Sequence, residues 1–249
     1  MSDLTIVISS YKATKEFELC LHQLGFFGIK NDELLIYENS PEYYSENREM
    51  LKKYGIKYID NPGGTHVNTM NRALKEVKTK YALLLDSDCF ILENPKTILE
   101  YVKEHKLQLY GDICGDRGGY HIHKRVHPWY CFVDVNFIKK YNIPFTDMER
   151  IKASGSESFV ETARLAEQRD PRGYYYDAGS SMFEDVIKNF GCAGDVGEMK
   201  PYVHKEGSSW YMEYGHQGFI QFGLQRDRWF QGFKKQIWQN EECIYNIGK

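Results

Sequence analysis

Three short runs, LTIVIS (4–9), ELLIYE (33–38) and YALLLD (81–86), are apolar without the every-second-residue alternation of a half-solvated strand. Strands of that kind must be covered on both faces, and the stretches between them carry helical period. Together these two facts constrain the chain to a mostly parallel sheet flanked by crossover helices, an α/β fold of Rossmann-like type. Phe17, Cys20, Leu21 and Leu24 share one helical face, closed near Gly25. A second helix is expected from the Asn39-Ser40-Pro41 turn through about Tyr54, ended by Gly55. IKYID (56–60) predicts a further strand. After the Asn61-Pro62-Gly63-Gly64 turn, Thr65 can cap a helix whose apolar face is Val67, Met70, Leu74 and Val77.

Downstream the pattern loosens. Asn94 before Pro95 starts a helix running to about His105. A strand is expected at 107–113, a Gly/His-rich loop at 115–128, a strand at WYCFVD (129–134) and a short helix before Pro144. The polar segment 146–176 reads as irregular. SSMFEDVIKNFG (180–191) places Met182, Phe183, Val186, Ile187 and Phe190 on one helical face, with Gly191 as its stop. No repeat, low-complexity tract or linker divides the chain.

The 249 residues and 42% hydrophobic content suffice for a substantial core. A formal charge of -3 gives no basic footprint for nucleic acid. Six cysteines without a CxxC pair point to free thiols in a reducing compartment. HIHKRVH (121–127) is a weak zinc signal, having no cysteine or carboxylate partner at fixed spacing. The N-terminus enters a strand with no signal-peptide pattern, and no window reaches the ~18–20 apolar residues of a membrane span. The expectation is a cytoplasmic protein with no integral membrane segment.

The chemistry concentrates where strands end. Asp86 and Asp88 follow an interior strand, and two carboxylates so close resist double ionisation unless a cation lies beside them. A hard divalent ion, Mn²⁺ or Mg²⁺, fits oxygen ligands and completes its shell with phosphates. Ser9, Ser10 and Tyr11 end the first strand, where hydroxyls and N–H groups can meet a nucleotide. Glu38 and Asn39 end the second, where a carboxylate can accept the N–H of a pyrimidine ring. NPGGTHVNTMNRAL lacks GxGxxG spacing, which disfavours a dinucleotide fold, but offers Asn68, Asn71 and Arg72 on a polar helical face. Taken singly, each of these also reads as an ordinary turn, loop or wet helix face.

Taken in order, LTIVISSYK, ELLIYENS, NPGGTHVNTMNRAL and YALLLDSDCFI resemble the nucleotide-binding half of the GT-A glycosyltransferases, closest to family 2. The resemblance implies a single GT-A domain over 1–249, with a nucleotide-sugar half (1–95) and an acceptor and catalytic half (96–249). It implies that Ser9, Ser10, Tyr11 and Glu38 hold the nucleoside. Asp86 and Asp88 would then meet the ribose and, through Mn²⁺ or Mg²⁺, the diphosphate. The chain departs from the family in having Met70 where an arginine is frequent, and Arg72 is the available substitute. PYVHKEGSSW (201–210) resembles the late segment that supplies a further metal ligand, here His204. YYYDAGSSMFEDVIKNFG (174–191) resembles the segment bearing the catalytic base, for which Asp177, Glu184 and Asp185 are candidates. Asp177 is preferred because it precedes the helix, while Glu184 also reads as a surface pair with Lys188.

The implied reaction moves a sugar from a nucleotide-diphosphate donor, a UDP-sugar first, to an acceptor hydroxyl with inversion. The acceptor would be a glycan, a lipid-linked sugar or a modified nucleic acid. A nucleotidyltransferase is the first rival, disfavoured by the lack of a Gly-rich, Lys/Arg-bearing phosphate loop after the first strand. A non-catalytic nucleotide-sugar or glycan-binding module is the second, with the aromatic residues, 15% of the chain, stacking sugars. The tail FGLQRDRWFQGFKKQIWQ (222–239) mixes basic and aromatic residues and suits either a membrane surface or packing on the domain.

Overall fold

A computed structural model describes residues 2–114, 123–153, 176, 178–197, 201–204 and 247. Nine strands are seen there: β1 (Leu4–Ser10), β2 (Leu34–Glu38), β3 (Ile59–Asp60), β4 (Tyr81–Asp86), β5 (Cys89–Ile91), β6 (Leu109–Cys114), β7 (Arg125–Asp134), β8 (Ala193–Asp195) and β9 (Tyr202–His204). The α-helices described are α1 (Thr14–Phe26), α2 (Glu46–Lys53), α3 (His66–Glu76), α4 (Pro95–Glu104), α5 (Val135–Lys140), α6 (Met148–Ala153) and α7 (Ser180–Lys188).

Seven strands form one sheet in the order β3-β2-β1-β4-β7-β6-β8, and β5 pairs with β9 in a second, two-stranded sheet. β1 with β2, β2 with β3 and β6 with β8 run parallel, while β6 and β7 are antiparallel. The order grows outward from β1 to β3 and then resumes at β4, a reversal beyond whose carboxyl ends α/β sheets gather ligands.

The chain forms two compact units. One comprises Ile6–His66, Leu85–Thr97 and the described residues from 201 onward. Its core is built from Ile6, Ile8, Phe17, Leu21, Leu24, Ile36, Tyr37 and Phe90, all buried. Each such side chain contributes about 1.5–3 kcal/mol on leaving water. α1 packs on β5 and α2, and Gln23 Oε1 accepts the Ile91 N–H at 2.8 Å, satisfying the edge of β5. The other unit comprises the first five residues, Val67–Leu84 and Ile98–Lys200. There α5 and α7 pack on β7, over Leu109, Tyr130, Phe132, Phe145, Met182 and Val186.

Several expectations needed correction. The strand expected over 56–60 pairs only at Ile59 and Asp60. β7 starts at Arg125, inside the stretch read as a loop, and α6 lies in the segment read as irregular. Of the apolar face read on α7, Met182 and Val186 are buried but Ile187 and Phe190 are exposed. Phe190, not Gly191, takes the left-handed turn at the helix end, with φ 61°.

Candidate functional site

The Asp86, Asp88 and His204 side chains converge within the first-described unit, their ligand atoms all within 4.8 Å of one another. The convergence follows from strand register. β4 delivers Asp86 at its last position, the chain turns through Ser87 and Asp88, and β5 then pairs antiparallel with β9, setting Cys89 opposite His204. His204 Nε2 lies 3.0 Å from Asp88 Oδ1 and 3.6 Å from Asp86 Oδ2. On the other side of Asp86, His66 Nδ1 stands 3.7 Å from Oδ1. The three side chains are 19%, 13% and 8% exposed in the order Asp86, Asp88, His204.

Asp86 Oδ1 is buried and accepts no hydrogen bond among the described residues. Burial pushes the Asp86 carboxyl above its ordinary range and the neighbouring Asp88 adds to that, while the His66 and His204 imidazoles pull it down. The thiols of Cys20 and Cys89 beneath the cluster are also pushed up, first by burial and then by these two aspartates. Two carboxylates and an imidazole form a donor set that suits Mn²⁺ or Mg²⁺, and a bound ion would compensate the oxygen left without a partner.

The ends of β1 and β2 are tied into one polar network. Glu38 is fully buried. Its Oε2 accepts from Ser10 Oγ and, at 2.9 Å, from Asn47 Nδ2, and its Oε1 accepts the Ser40 N–H at 2.9 Å. Ser9 Oγ accepts from Asn39 Nδ2 at 2.8 Å. Past β1, Lys12 and Ala13 are two consecutive left-handed residues with φ of 53° and 51°. Neither is glycine, so the conformation costs about 1 kcal/mol or more at each. It is held by the Lys12 N–H on Ser40 Oγ at 2.7 Å and by Asn47 Nδ2 on the Lys12 carbonyl at 3.1 Å. Lys12 Nζ then lies 5.2 Å from the centre of the Tyr11 ring and 5.7 Å from that of Tyr43.

His66 is delivered by the turn before it. Asn61 Nδ2 donates to Asn39 Oδ1 at 2.7 Å, and the Gly63 N–H donates to the Asn39 carbonyl at 3.0 Å. A Cβ on Gly64 would lie 2.0 Å from Asn61 Nδ2 and 2.6 Å from Asn39 Oδ1, so only glycine passes there.

The structure thus brings Ser9, Ser10, Tyr11, Glu38, Asp86, Asp88 and His204 into one unit. Asn68 and Asn71 belong to the other. Asn68 is exposed. Asn71 spends its amide on Thr146, donating to its carbonyl at 2.9 Å and accepting its N–H at 3.1 Å. Met70 is fully buried, and Arg72 pairs with Glu76 at 2.8 Å on the helix surface. Asp177 and the 222–239 tail lie outside the described residues. Glu184 does not pair with Lys188. It accepts from Tyr176 Oη at 2.6 Å and lies 3.4 Å from Arg150, which also meets Asp185 at 2.9 Å and Asp147 at 3.3 Å. Burial, then the hydrogen bond to Glu184, pushes the Tyr176 phenol up to about 12.

Sequence reasoning missed His66, Asn47, Arg48, Arg150 and Tyr176. Asn47 and Arg48 had a faint signal, two polar residues on the face of α2 nearest the strand ends. Arg48 reaches the carbonyls of Tyr44 and Ser40 at 2.7 and 2.8 Å and Asp60 Oδ1 at 2.8 Å.

Five cysteines, Cys20, Cys89, Cys114, Cys131 and Cys192, are free thiols, and Cys243 lies outside the described residues. Among the described residues no helix is long and apolar enough to cross a membrane.

The family model for glycosyl transferase family 2 matches residues 5–164, and the chain belongs to that family. Its fold is accordingly GT-A. None of the curated proteins compared matches the chain. Among solved structures, S. aureus TarS residues 1–349 is 17% identical with a TM-score of 0.44, over 57% of this chain and 50% of that one. The mannosyltransferase PcManGT from Pyrobaculum calidifontis, in complex with GDP-Man and Mn²⁺, is 9% identical with a TM-score of 0.45, over 71% and 56%. A cytidylyltransferase from Leptospira borgpetersenii is 10% identical with a TM-score of 0.41, over 72% and 77%. The chain covers about half the length of the first of these structures.

Proposed function

We propose that this chain is a metal-dependent glycosyltransferase that moves a sugar from a nucleotide-diphosphate donor, a UDP-sugar, to an acceptor hydroxyl with inversion at the anomeric carbon. The observation that carries the reading is the Asp86–Asp88–His204 cluster at the end of an interior strand, with a buried carboxylate oxygen that accepts no hydrogen bond among the described residues. Asp86, Asp88 and His204 would hold Mn²⁺ or Mg²⁺, whose positive charge would stabilise the negative charge gained by the leaving phosphate.

The chain's own residues do the rest. Asp88 and His204 fix each other at 3.0 Å, so their ligand atoms are pre-positioned. The buried Glu38 orders Ser10, Ser40 and Asn47, and through them the turn that carries Tyr11 and Lys12. In this reading Ser9, Ser10, Tyr11 and Glu38 form the nucleoside end, with Tyr11 supplying the ring surface and Glu38 holding the loop. Asn68 and Asn71 are assigned to the donor from the sequence pattern, and Asn68 is the one with an exposed side chain. Asp177 is the proposed base, taking the proton of the acceptor hydroxyl, a step worth ~10²- to 10⁴-fold. The acceptor is a glycan, a lipid-linked sugar or a modified nucleic acid, and residues 1–249 act as one domain in a reducing, cytoplasmic setting.

The test is to incubate the protein with Mn²⁺, a panel of UDP-sugars and candidate acceptors and to follow released UDP. Asp177→Asn is expected to lower kcat by about 10²-fold or more while UDP still binds in the presence of Mn²⁺. If Asp185→Asn does this and Asp177→Asn does not, the base has been assigned to the wrong residue. Pyrophosphate released from UTP and a sugar phosphate identifies a nucleotidyltransferase instead, and UDP binding without turnover identifies a binding module.

A further inference from the structure

Five helices end on the same pair of backbone hydrogen bonds. After α1, α2, α4, α5 and α7 one residue turns left-handed: Gly28, Gly55, Lys106, Asn142 and Phe190. Each donates its N–H to the carbonyl three residues back, and the residue after it donates to the carbonyl five back. This is the Schellman arrangement, in which the left-handed position favours glycine or asparagine and the following apolar residue packs against the helix. Four ends obey it. Ile29, Ile56 and Ile143 follow the turn and are buried, and Leu107 is half-buried.

At α7 the order is inverted. The following residue is Gly191, where a Cβ would lie 2.6 Å from Val186 Cγ1 and 2.9 Å from Phe137 Cζ. The large apolar side chain sits instead on the left-handed residue, where Phe190 is 96% exposed. Ile187 and Tyr141, 47% and 38% exposed, extend the apolar surface, with Phe137 touching both the Gly191 turn and the Tyr141 ring. Lys140 stands 4.8 Å from the centre of the Tyr141 ring, and Lys188 ends α7. Among the described residues neither lysine has a carboxylate partner, and Arg150 holds Glu184 and Asp185, the carboxylates on α7 that precede Lys188.

We propose that Phe190, Ile187 and Tyr141, flanked by Lys140 and Lys188, form a docking patch for an anionic lipid surface, with the rings entering the headgroup boundary and the ammonium groups meeting lipid phosphates. Exposed rings bordered by lysines that have no carboxylate partner among the described residues have the composition of an interfacial membrane contact. A second copy of the chain fits worse, since a two-fold contact sets a patch against itself and brings lysine towards lysine.

The experiment is flotation of the full chain with phosphatidylcholine vesicles and with vesicles containing about one-third phosphatidylglycerol. The protein is expected on the anionic vesicles alone, with binding weakened by salt. Phe190→Asn places at this turn the residue that α5 uses at the same position, so the melting temperature should hold or rise while the partition coefficient falls roughly tenfold. Lys140→Gln with Lys188→Gln should lower it about 25-fold, about fivefold for each lysine. Absence of partition, equal partition into neutral vesicles, or unchanged partition of Phe190→Asn would overturn the assignment. So would a concentration-dependent doubling of mass abolished by Phe190→Asn, which gives the patch to a second copy.

Discussion

Glu38 and Asp86 are the last residues of β2 and β4, and their surroundings differ in kind. Both oxygens of Glu38 accept hydrogen bonds from the Ser40 backbone, Ser10 and Asn47, which offset the cost of burial. Asp86 Oδ1 has no such donor among the described residues; His66 Nδ1 stands 3.7 Å from it, and His204 Nε2 lies 3.6 Å from the other oxygen, Oδ2. The first carboxylate organises a loop, and the second has the setting of a ligand. A third ionisable group gives a prediction at this scale. Tyr176 has its phenol raised to about 12, first by burial and then by the hydrogen bond to Glu184. A group that holds its proton more tightly when folded contributes stability that is present below its unfolded value and is lost as pH rises through the folded one. Unfolding free energy should therefore fall between about pH 10 and pH 12 by an amount that Tyr176→Phe lacks. Denaturant titrations of both proteins across that window check this, and parallel pH dependences would refute it.

At the scale of elements, the turn before α3 carries the sharpest constraint. Gly64→Ala would drive a methyl group into the Asn61–Asn39 amide contact, costing about 1–3 kcal/mol and displacing His66. Urea unfolding should register the loss, and an unchanged midpoint would mean that the turn relaxes without penalty. The elements readable from sequence were those whose signal is local. β1, β2 and β4 announce themselves by unbroken apolar runs, and α1 to α4 by their faces and end residues. β5 was not readable, because three residues carry no period and its pairing partner is β9, far along the chain. β7 was cut short because Pro128 reads as a breaker. The register slips between Gly111 and Ile113, and Pro128 falls in that irregularity, where no ladder hydrogen bond is required of it. The site was legible to the same extent. Asp86 and Asp88 follow from one strand, whereas His66 and Asn47 act through turns whose closure no spacing encodes.

Over the whole molecule, the parts of the Asp86–Asp88–His204 cluster, proposed above as the cation site, come from distant stretches of chain, the end of β4 and the end of β9, and meet within one compact unit. Ion and nucleotide should therefore bind as a linked pair, each strengthening the other through the diphosphate. Isothermal titration of UDP into the protein, with and without Mn²⁺ and repeated on Asp88→Asn, measures that linkage directly. Mn²⁺ is expected to tighten UDP binding at least about tenfold in the unaltered protein and not in the variant, whose residual metal-free binding stays the same. Equal UDP affinity with and without Mn²⁺, or full Mn²⁺ enhancement in Asp88→Asn, would contradict the assignment of this cluster as the cation site.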